Sequence, residues 1–272
     1  MRFLPKRELS GLLADLGVVR AFSIIRGYGR DSLRVLCYHE VYHKDVEQFE
    51  AQLLYYKDNY RLITLEQLLD IIVHRKRDYG RCLAVTFDDD HEINLSTAVP
   101  LLKKHGIPAC FFVNTVPLLL SDSEIRDFSI KAHQYGHKFI NSDETKMLHD
   151  SGFEIGSHSH SHHTMARLSM EEAEKELRLS KEILEEIVQD KVKFFAFPYG
   201  GRRSVSLGLI KLAGKYYNAA FSTFRGFNTL DSNLHCLYRD VIEPFWPVSI
   251  VRYYIEGGKD WGTRSKMAKM QD

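Results

Sequence analysis

The stretch CLAVTFDDD, Cys82–Asp90, decides the fold. Cys82 to Phe87 is an apolar, β-prone run that reads as a buried strand. Three aspartates follow where the strand stops. Adjacent carboxylates repel one another, so a chain that puts three of them at the end of a buried strand must compensate them.

Working outward, the same pattern recurs. RVLCYHEV (34–41) reads as the strand before it and PACFFVNT (108–115) as the strand after it. FEIGSHS (153–159), KFFAFPYG (193–200), NAAFST (218–223) and CLYRDVIE (236–243) follow. Helical periodicity fills the gaps at 46–58, 64–75, 93–105, 169–189, 204–216 and 247–256. Thr64 with Gln67, and Ser169 with Glu172, have capping-box spacing. Ser142 is the expected cap of a short helix that Gly152 stops, and Gly106 is expected to close the helix over 93–105. Residues 117–142 read as a βα insertion, partly helical. Strands alternating with helices give parallel βαβ units. The prediction is an α/β fold, an irregular (β/α) barrel of about seven parallel strands, with a doubly wound open sheet as the competitor.

Composition limits the function. The chain has 272 residues, 44% of them apolar, enough for a large core in one domain. Lys and Arg number 37 against 36 Asp and Glu, so no nucleic-acid partner is expected from charge. Cys37, Cys82, Cys110 and Cys236 form no CxxC pair and read as buried thiols of a reducing compartment. Residues 1–30 lack an uninterrupted apolar core and a small-residue cleavage site. They read as an amphipathic helical segment, either packed on the domain or lying on a membrane surface. No stretch reaches the ~18 apolar residues of a membrane span. The expected division is a segment 1–30, a catalytic domain 31–258 and a tail 259–272. The expected location is cytoplasmic, with residues 1–30 as a candidate peripheral contact to the inner membrane face.

In a barrel or a doubly wound sheet, sites lie at the carboxyl ends of the strands. The strand ends here carry His39 and Glu40, then Asp88, Asp89 and Asp90, then Asn114, then His158, and finally Pro198, Tyr199 and Gly200. The run GSHSHSHH (156–163) puts His158 and His162 four apart, with His160 and His163 beside them. Imidazoles at that spacing suit zinc and similar divalent ions, although an exposed histidine-rich loop would look the same. A cation would also compensate an aspartate. Two His and one carboxylate with open positions make a catalytic set, and a neighbouring carboxylate can take a proton from water. That chemistry suits hydrolysis of an amide or ester.

TFDDD, HSHSH and FPYG, in that order, resemble the polysaccharide deacetylases of carbohydrate esterase family 4. The likeness runs over about residues 33–245, and RVLCYHEV with the helix after it resembles the branch of poly-N-acetylglucosamine deacetylases. The resemblance implies an irregular barrel and a metal-dependent hydrolase that removes N-acetyl groups from an amino sugar. It implies Asp88 as base, Asp89, His158 and His162 as ligands, and the Tyr199 N–H in the Pro198–Tyr199–Gly200 turn as oxyanion donor. Zinc is the expected ion, with cobalt, nickel or manganese as alternatives. An N-acetylated sugar or glycan is the expected partner.

The chain departs from the family pattern at three places. Asp90 stands where the family has glycine. Ala196 stands where many members have an arginine, and Arg239 is the candidate to supply that charge near substrate. The late Leu-x-His motif of the general acid is absent; His235 precedes its strand, and His39 is the substitute proposed for it. Glu40, His91 and Asn114 are expected to line the pocket. The rival readings are an enzyme acting on a lipid-linked sugar at the membrane face, and a metal- and sugar-binding module without catalysis.

Overall fold

The computed structural model describes residues 31–120 and 138–260, together with residues 21, 124 and 125. The segment 1–30 and the tail 259–272 therefore lie outside the described residues except for residues 21, 259 and 260, and much of the expected insertion 117–142 does too. Among the described residues no helix is long and apolar enough to cross a membrane.

The strands are β1 Ser32–Tyr38, β2 Arg61–Leu62, β3 Arg81–Phe87, β4 Ala109–Val113, β5 Glu154–Ser157, β6 Phe194–Ala196, β7 Ala219–Phe221 and β8 Asp240–Val241. Seven lie in the order β7-β6-β5-β4-β3-β1-β8, and the short β2 pairs with the start of β3. Every pairing between named strands is parallel. One segment brings the two edges together. Leu237 bridges Phe221 of β7, and three residues later Asp240 and Val241 pair with β1. The sheet is thus curled into a distorted (β/α) barrel rather than an open doubly wound sheet.

Alternation along the strands divides the core in two. Leu33 and Val35, Cys82 and Ala84, Cys110 and Phe112, and Phe194 and Ala196 pack into one cluster inside the curl. Leu36 and Tyr38, Leu83, Val85 and Phe87, and Phe111 and Val113 pack outward under the helices. Helix α1 (Val46–Asn59) supplies Phe49, Leu53 and Tyr56 to that outer layer. Helix α2 (Leu65–Val73) covers the end where the strands begin. Its first N–H groups, Leu65 and Glu66, donate to Glu154, the first residue of β5, and its Leu68, Ile71 and Ile72 plug the inner cluster. The opposite end, where the strands stop, is left for chemistry.

Local signals hold where a polar cap defines an end. Thr64–Gln67 and Ser169–Glu172 are capping boxes, and Gly106 closes its helix at φ 64°. Four expectations are corrected. The helix over 93–105 is two helices, α3 Ile93–Ser96 and α4 Ala98–His105, because Pro100 has no N–H for the Ser96 carbonyl. Helix α5 (Ser142–Asp150) is capped by Asn141, whose box partner is Glu144, one residue earlier than expected. After α6 (Met170–Val188), helix α7 is only Leu207–Ala213, capped by Ser206. The strand over 236–243 shrinks to Asp240–Val241, because Asn233 caps a 3-10 turn over Leu234–Cys236. The last helix, α8, is Val248–Ile255, and all four cysteines are buried thiols.

Candidate active site

Thr86 and Asp88 continue the inward-facing row of β3. Both are buried, and Arg239, itself fully buried just before β8, reaches both. Its Nη1 donates to Asp88 Oδ1 at 2.6 Å and to Thr86 Oγ1 at 3.1 Å, its Nη2 to Asp88 Oδ2 at 2.7 Å, and its Nε to the Ser222 carbonyl at 3.2 Å. Cys37 Sγ also donates to Asp88 Oδ2, at 3.3 Å. Burial alone would raise the Asp88 carboxyl, but Arg239 and then His158 outweigh it and hold the group below its usual range. Arg239 was expected among the substrate- and oxyanion-binding groups. It lies instead behind Asp88 with its donors directed at the protein.

Asp89 should face away from Asp88, since neighbours on a strand point to opposite sides. It does not, because the chain leaves the strand there with φ 70° at Asp89 and 39° at Asp90. The left-handed turn swings Asp89 back to the mouth, where its Oδ1 lies 3.3 Å from His158 Nε2 and 3.0 Å from His162 Nε2. Burial opposes ionisation of Asp89, but the adjacent His158 and His162 imidazoles hold its carboxyl well below the usual range.

His158 follows β5 directly. Its Nδ1 donates to the Ala196 carbonyl at 2.8 Å, so Nε2 is the nitrogen turned to Asp89. His162 reaches the same point through a loop with left-handed residues at both Ser159 (φ 70°) and His162 (φ 55°). His160 and His163 are turned away, His160 Nδ1 to Thr115 Oγ1 at 2.7 Å and His163 Nδ1 to Ser161 Oγ.

These three side chains fit a divalent ion. Among the described residues no donor is aligned on the buried Asp89 Oδ1. Two imidazole nitrogens and one carboxylate oxygen are a common zinc set, and bonds of about 2.0–2.1 Å at tetrahedral angles put donors ~3.3 Å apart. The separations of 3.0 and 3.3 Å meet that requirement. Cys37, His39 and Asp88 also cluster closely enough for a metal. That group is a poor site, because Arg239 already occupies both Asp88 oxygens and burial pushes the Cys37 thiol well up, away from thiolate.

Asp90 is explained by its backbone and by Asn114. A left-handed residue is needed, and Asp is among the few non-glycines that tolerate it. Its Oδ1 then accepts from Asn114 N at 3.2 Å and Asn114 Nδ2 at 2.6 Å, tying the end of β3 to the end of β4. Burial pushes this carboxyl up to about 7 against the Asn114 bonds.

His39 and the Pro198–Tyr199–Gly200 turn complete the mouth. His39 Nε2 lies 3.9 Å from Asp89 Oδ2, and its carbonyl accepts from buried Asn94 Nδ2 at 2.7 Å. Glu40 Oε2 lies 3.4 Å from His91 Nε2 beside it. Tyr199 (φ 61°) and Gly200 (φ 53°) make a left-handed turn, and a Cβ at Gly200 would sit 2.7 Å from Thr223 N. The Tyr199 ring packs 4.9 Å from that of His162. His235 is elsewhere, against the Tyr217 carbonyl at 3.1 Å. Sequence reasoning did not single out Thr86, or Cys37 and Asn94 as members of the site. Inward parity could have signalled two of them, Thr86 through Asp88 and Cys37 through Leu33 and Val35.

The Bacillus subtilis protein YxkH is 24% identical over 234 residues, covering 84% of this chain and 77% of that one. The poly-β-1,6-N-acetyl-D-glucosamine N-deacetylase of Staphylococcus aureus is 28% identical over 212 residues, 72% of this chain and 66% of its own length, just under two thirds. Streptococcus pyogenes deacetylase PplD, solved with acetate, shares the fold with TM-score 0.70 at 18% identity, covering 83% of this chain and 99% of that one. The sequence model of polysaccharide deacetylases matches residues 75–217, a span that starts before the aspartates of β3 and ends after the Tyr199 turn. With the motifs meeting at one mouth of a curled parallel sheet, the chain belongs to the polysaccharide deacetylase family.

Proposed function

We propose that this chain is a metal-dependent hydrolase that removes N-acetyl groups from an amino sugar of a polysaccharide or glycan precursor. One observation carries the reading: Asp89 Oδ1 lies within 3.3 Å of both His158 Nε2 and His162 Nε2 at the mouth, with Asp88 beside them on Arg239. Family membership and the likeness to the S. aureus enzyme support a poly-N-acetylglucosamine type of substrate.

When bound, a divalent cation, zinc as the expected ion, supplies Lewis acidity to a water and to the acyl oxygen. Asp89, His158 and His162 would hold it. Asp88, kept ionised by Arg239, takes the proton of the attacking water. The left-handed Tyr199 turn, packed on His162, offers its N–H to the developing oxyanion. His39, with its Nε2 3.9 Å from Asp89 Oδ2, gives a proton to the leaving amine. A group in that place answers the missing late histidine and supports an enzyme over a binding module.

Acetate release from N-acetylated β-1,6-glucosamine oligomers, measured with zinc or cobalt and with chelator, tests the reading. Release that needs metal and falls at least 100-fold in His39→Gln supports it. No release with any metal, or release unaffected by chelator, overturns it.

A further inference from the structure

The histidine loop needs an outside support. Between His158 and His162 the backbone passes through the left-handed residue Ser159 and ends at a second one, His162. Left-handed conformations of non-glycine residues persist only where surroundings hold them. Part of that hold is internal: Ser159 Oγ accepts from His162 N at 3.0 Å, and Ser157 Oγ accepts from Ser159 N at 3.2 Å. Part is from the β4 side, where the His160 carbonyl accepts from Val116 N at 2.9 Å.

Thr115 Oγ1, on that same side, meets the His160 ring at Nδ1, and a further hold on the loop backbone comes from one side chain on α6. Glu176 Oε2 accepts from two consecutive loop N–H groups, His160 at 3.0 Å and Ser161 at 2.8 Å, while Oε1 accepts from Ser161 Oγ. His160 and Ser161 are the middle of the loop, halfway between the two histidines that face Asp89. Two adjacent N–H groups turned to one carboxylate fix the local curvature, and curvature sets how far apart His158 and His162 stand. Other glutamates of the helix make different contacts: Glu172 caps the helix start, Glu174 bonds Tyr216, and Glu182 pairs with Arg178. In sequence Glu176 is indistinguishable from them.

We propose that Glu176 is a positioning residue for the metal site: it pre-sets the His158–His162 separation by clamping the loop between them. The inference rests on the ligand set proposed above. Partners that orient ligands in this way typically change metal affinity 10–100-fold when removed. Acceptor geometry does the work, so a neutral amide should suffice. Glutamine keeps one oxygen for both N–H groups, and its NH2 can donate to the Ser161 hydroxyl.

The test is zinc affinity by competition with a chromophoric chelator, on the full chain. Glu176→Ala should bind zinc at least 10-fold more weakly than wild type, Glu176→Gln within about threefold of it, and Glu182→Gln unchanged. Circular dichroism of the metal-free variants should match wild type. If Glu176→Ala misfolds, Glu176→Ser, also short of the loop, takes its place with the same expectation. Zinc affinity in a folded Ala or Ser variant within threefold of wild type overturns the clamp. So does a Gln variant as weak as Ala, which would make charge the cause. If wild type itself binds no zinc, the ligand set falls and the clamp with it, whereas wild-type binding with an unaffected Ala variant removes the clamp alone.

Discussion

Arg239 holds Asp88 through two parallel hydrogen bonds of 2.6 and 2.7 Å, fully buried and across 151 positions of chain. A bidentate guanidinium–carboxylate pair fixes both charge and orientation. Ala196 leaves no arginine at the end of β6, and the cation arrives instead from the segment that closes the barrel.

That pair sets a pH dependence. The folded Asp88 carboxyl lies below its unfolded value of 3.8. Its contribution to stability is therefore present above about pH 4 and is lost as pH falls through the depressed folded value. In Arg239→Gln burial meets only the opposition of His158 and His39, so the carboxyl rises. The acid limb of kcat/KM should move to higher pH, with activity partly recovering as pH is raised. Leaving a buried carboxylate unpaired should also lower stability by about 3–5 kcal/mol. A pH–rate profile with denaturant unfolding reads both, and an unmoved acid limb would count against Arg239 as the group that keeps Asp88 ionised.

Asp88→Asn separates base from ligand. The amide is nearly isosteric and loses one acceptor facing Arg239, while Asp89, His158 and His162 are unchanged. Zinc stoichiometry should stay at the wild-type value, and turnover should fall about 10²–10⁴-fold. Plasma emission spectrometry and acetate release give the two numbers. Retained turnover would remove Asp88 as base; lost metal would make it a ligand.

The strands and the identity of the mouth were legible because both are written in short-range pattern. Cys82–Phe87 is apolar enough to be a buried strand, and three aspartates can only mark its open end. What was not legible came from long-range or backbone causes. Nothing near Arg239 in sequence says that it faces Asp88, because the pairing depends on Leu237–Val241 joining the two sheet edges. Nothing in DDD says that φ becomes positive at Asp89 and Asp90. The helix break at Thr97 and the cap at Asn141 were legible in principle, through Pro100 and the Asn141–Glu144 spacing.

Asp90 gives a prediction of its own. Asp90→Gly restores the residue best suited to φ 39° and relieves ~1–2 kcal/mol of left-handed strain. It also strips the buried Asn114 amide of its partner, which costs about 1–3 kcal/mol. The balance should be a loss of about 1 kcal/mol. Asp90→Asn, which keeps an acceptor oxygen and tolerates the turn, should lie closer to wild type. Activity of both should stay within threefold, since the contact is to Asn114 and not to the ligands. Urea unfolding and initial rates check this, and a Gly variant more stable than wild type would show that the Asn114 bonds contribute little.

Removing metal should be visible in stability without any substrate. A ligand bound only by the folded state stabilises it by about 2.7 kcal/mol at 100 times Kd. For a domain of this size each kcal/mol moves Tm by roughly 2–4 °C, so chelator should lower Tm by about 5–10 °C. Asp89→Ala and His162→Ala each delete one of the three proposed ligands, and in them the difference between zinc and chelator should vanish. Asp88→Asn should keep it, because Asp88 is turned to Arg239. His163→Ala should keep it too, since that ring is turned to Ser161. Scanning fluorimetry of the five proteins with zinc or chelator decides between this ligand set and any other drawn from the histidine loop. A shift that survives His162→Ala but disappears in His163→Ala would reassign the loop's second ligand.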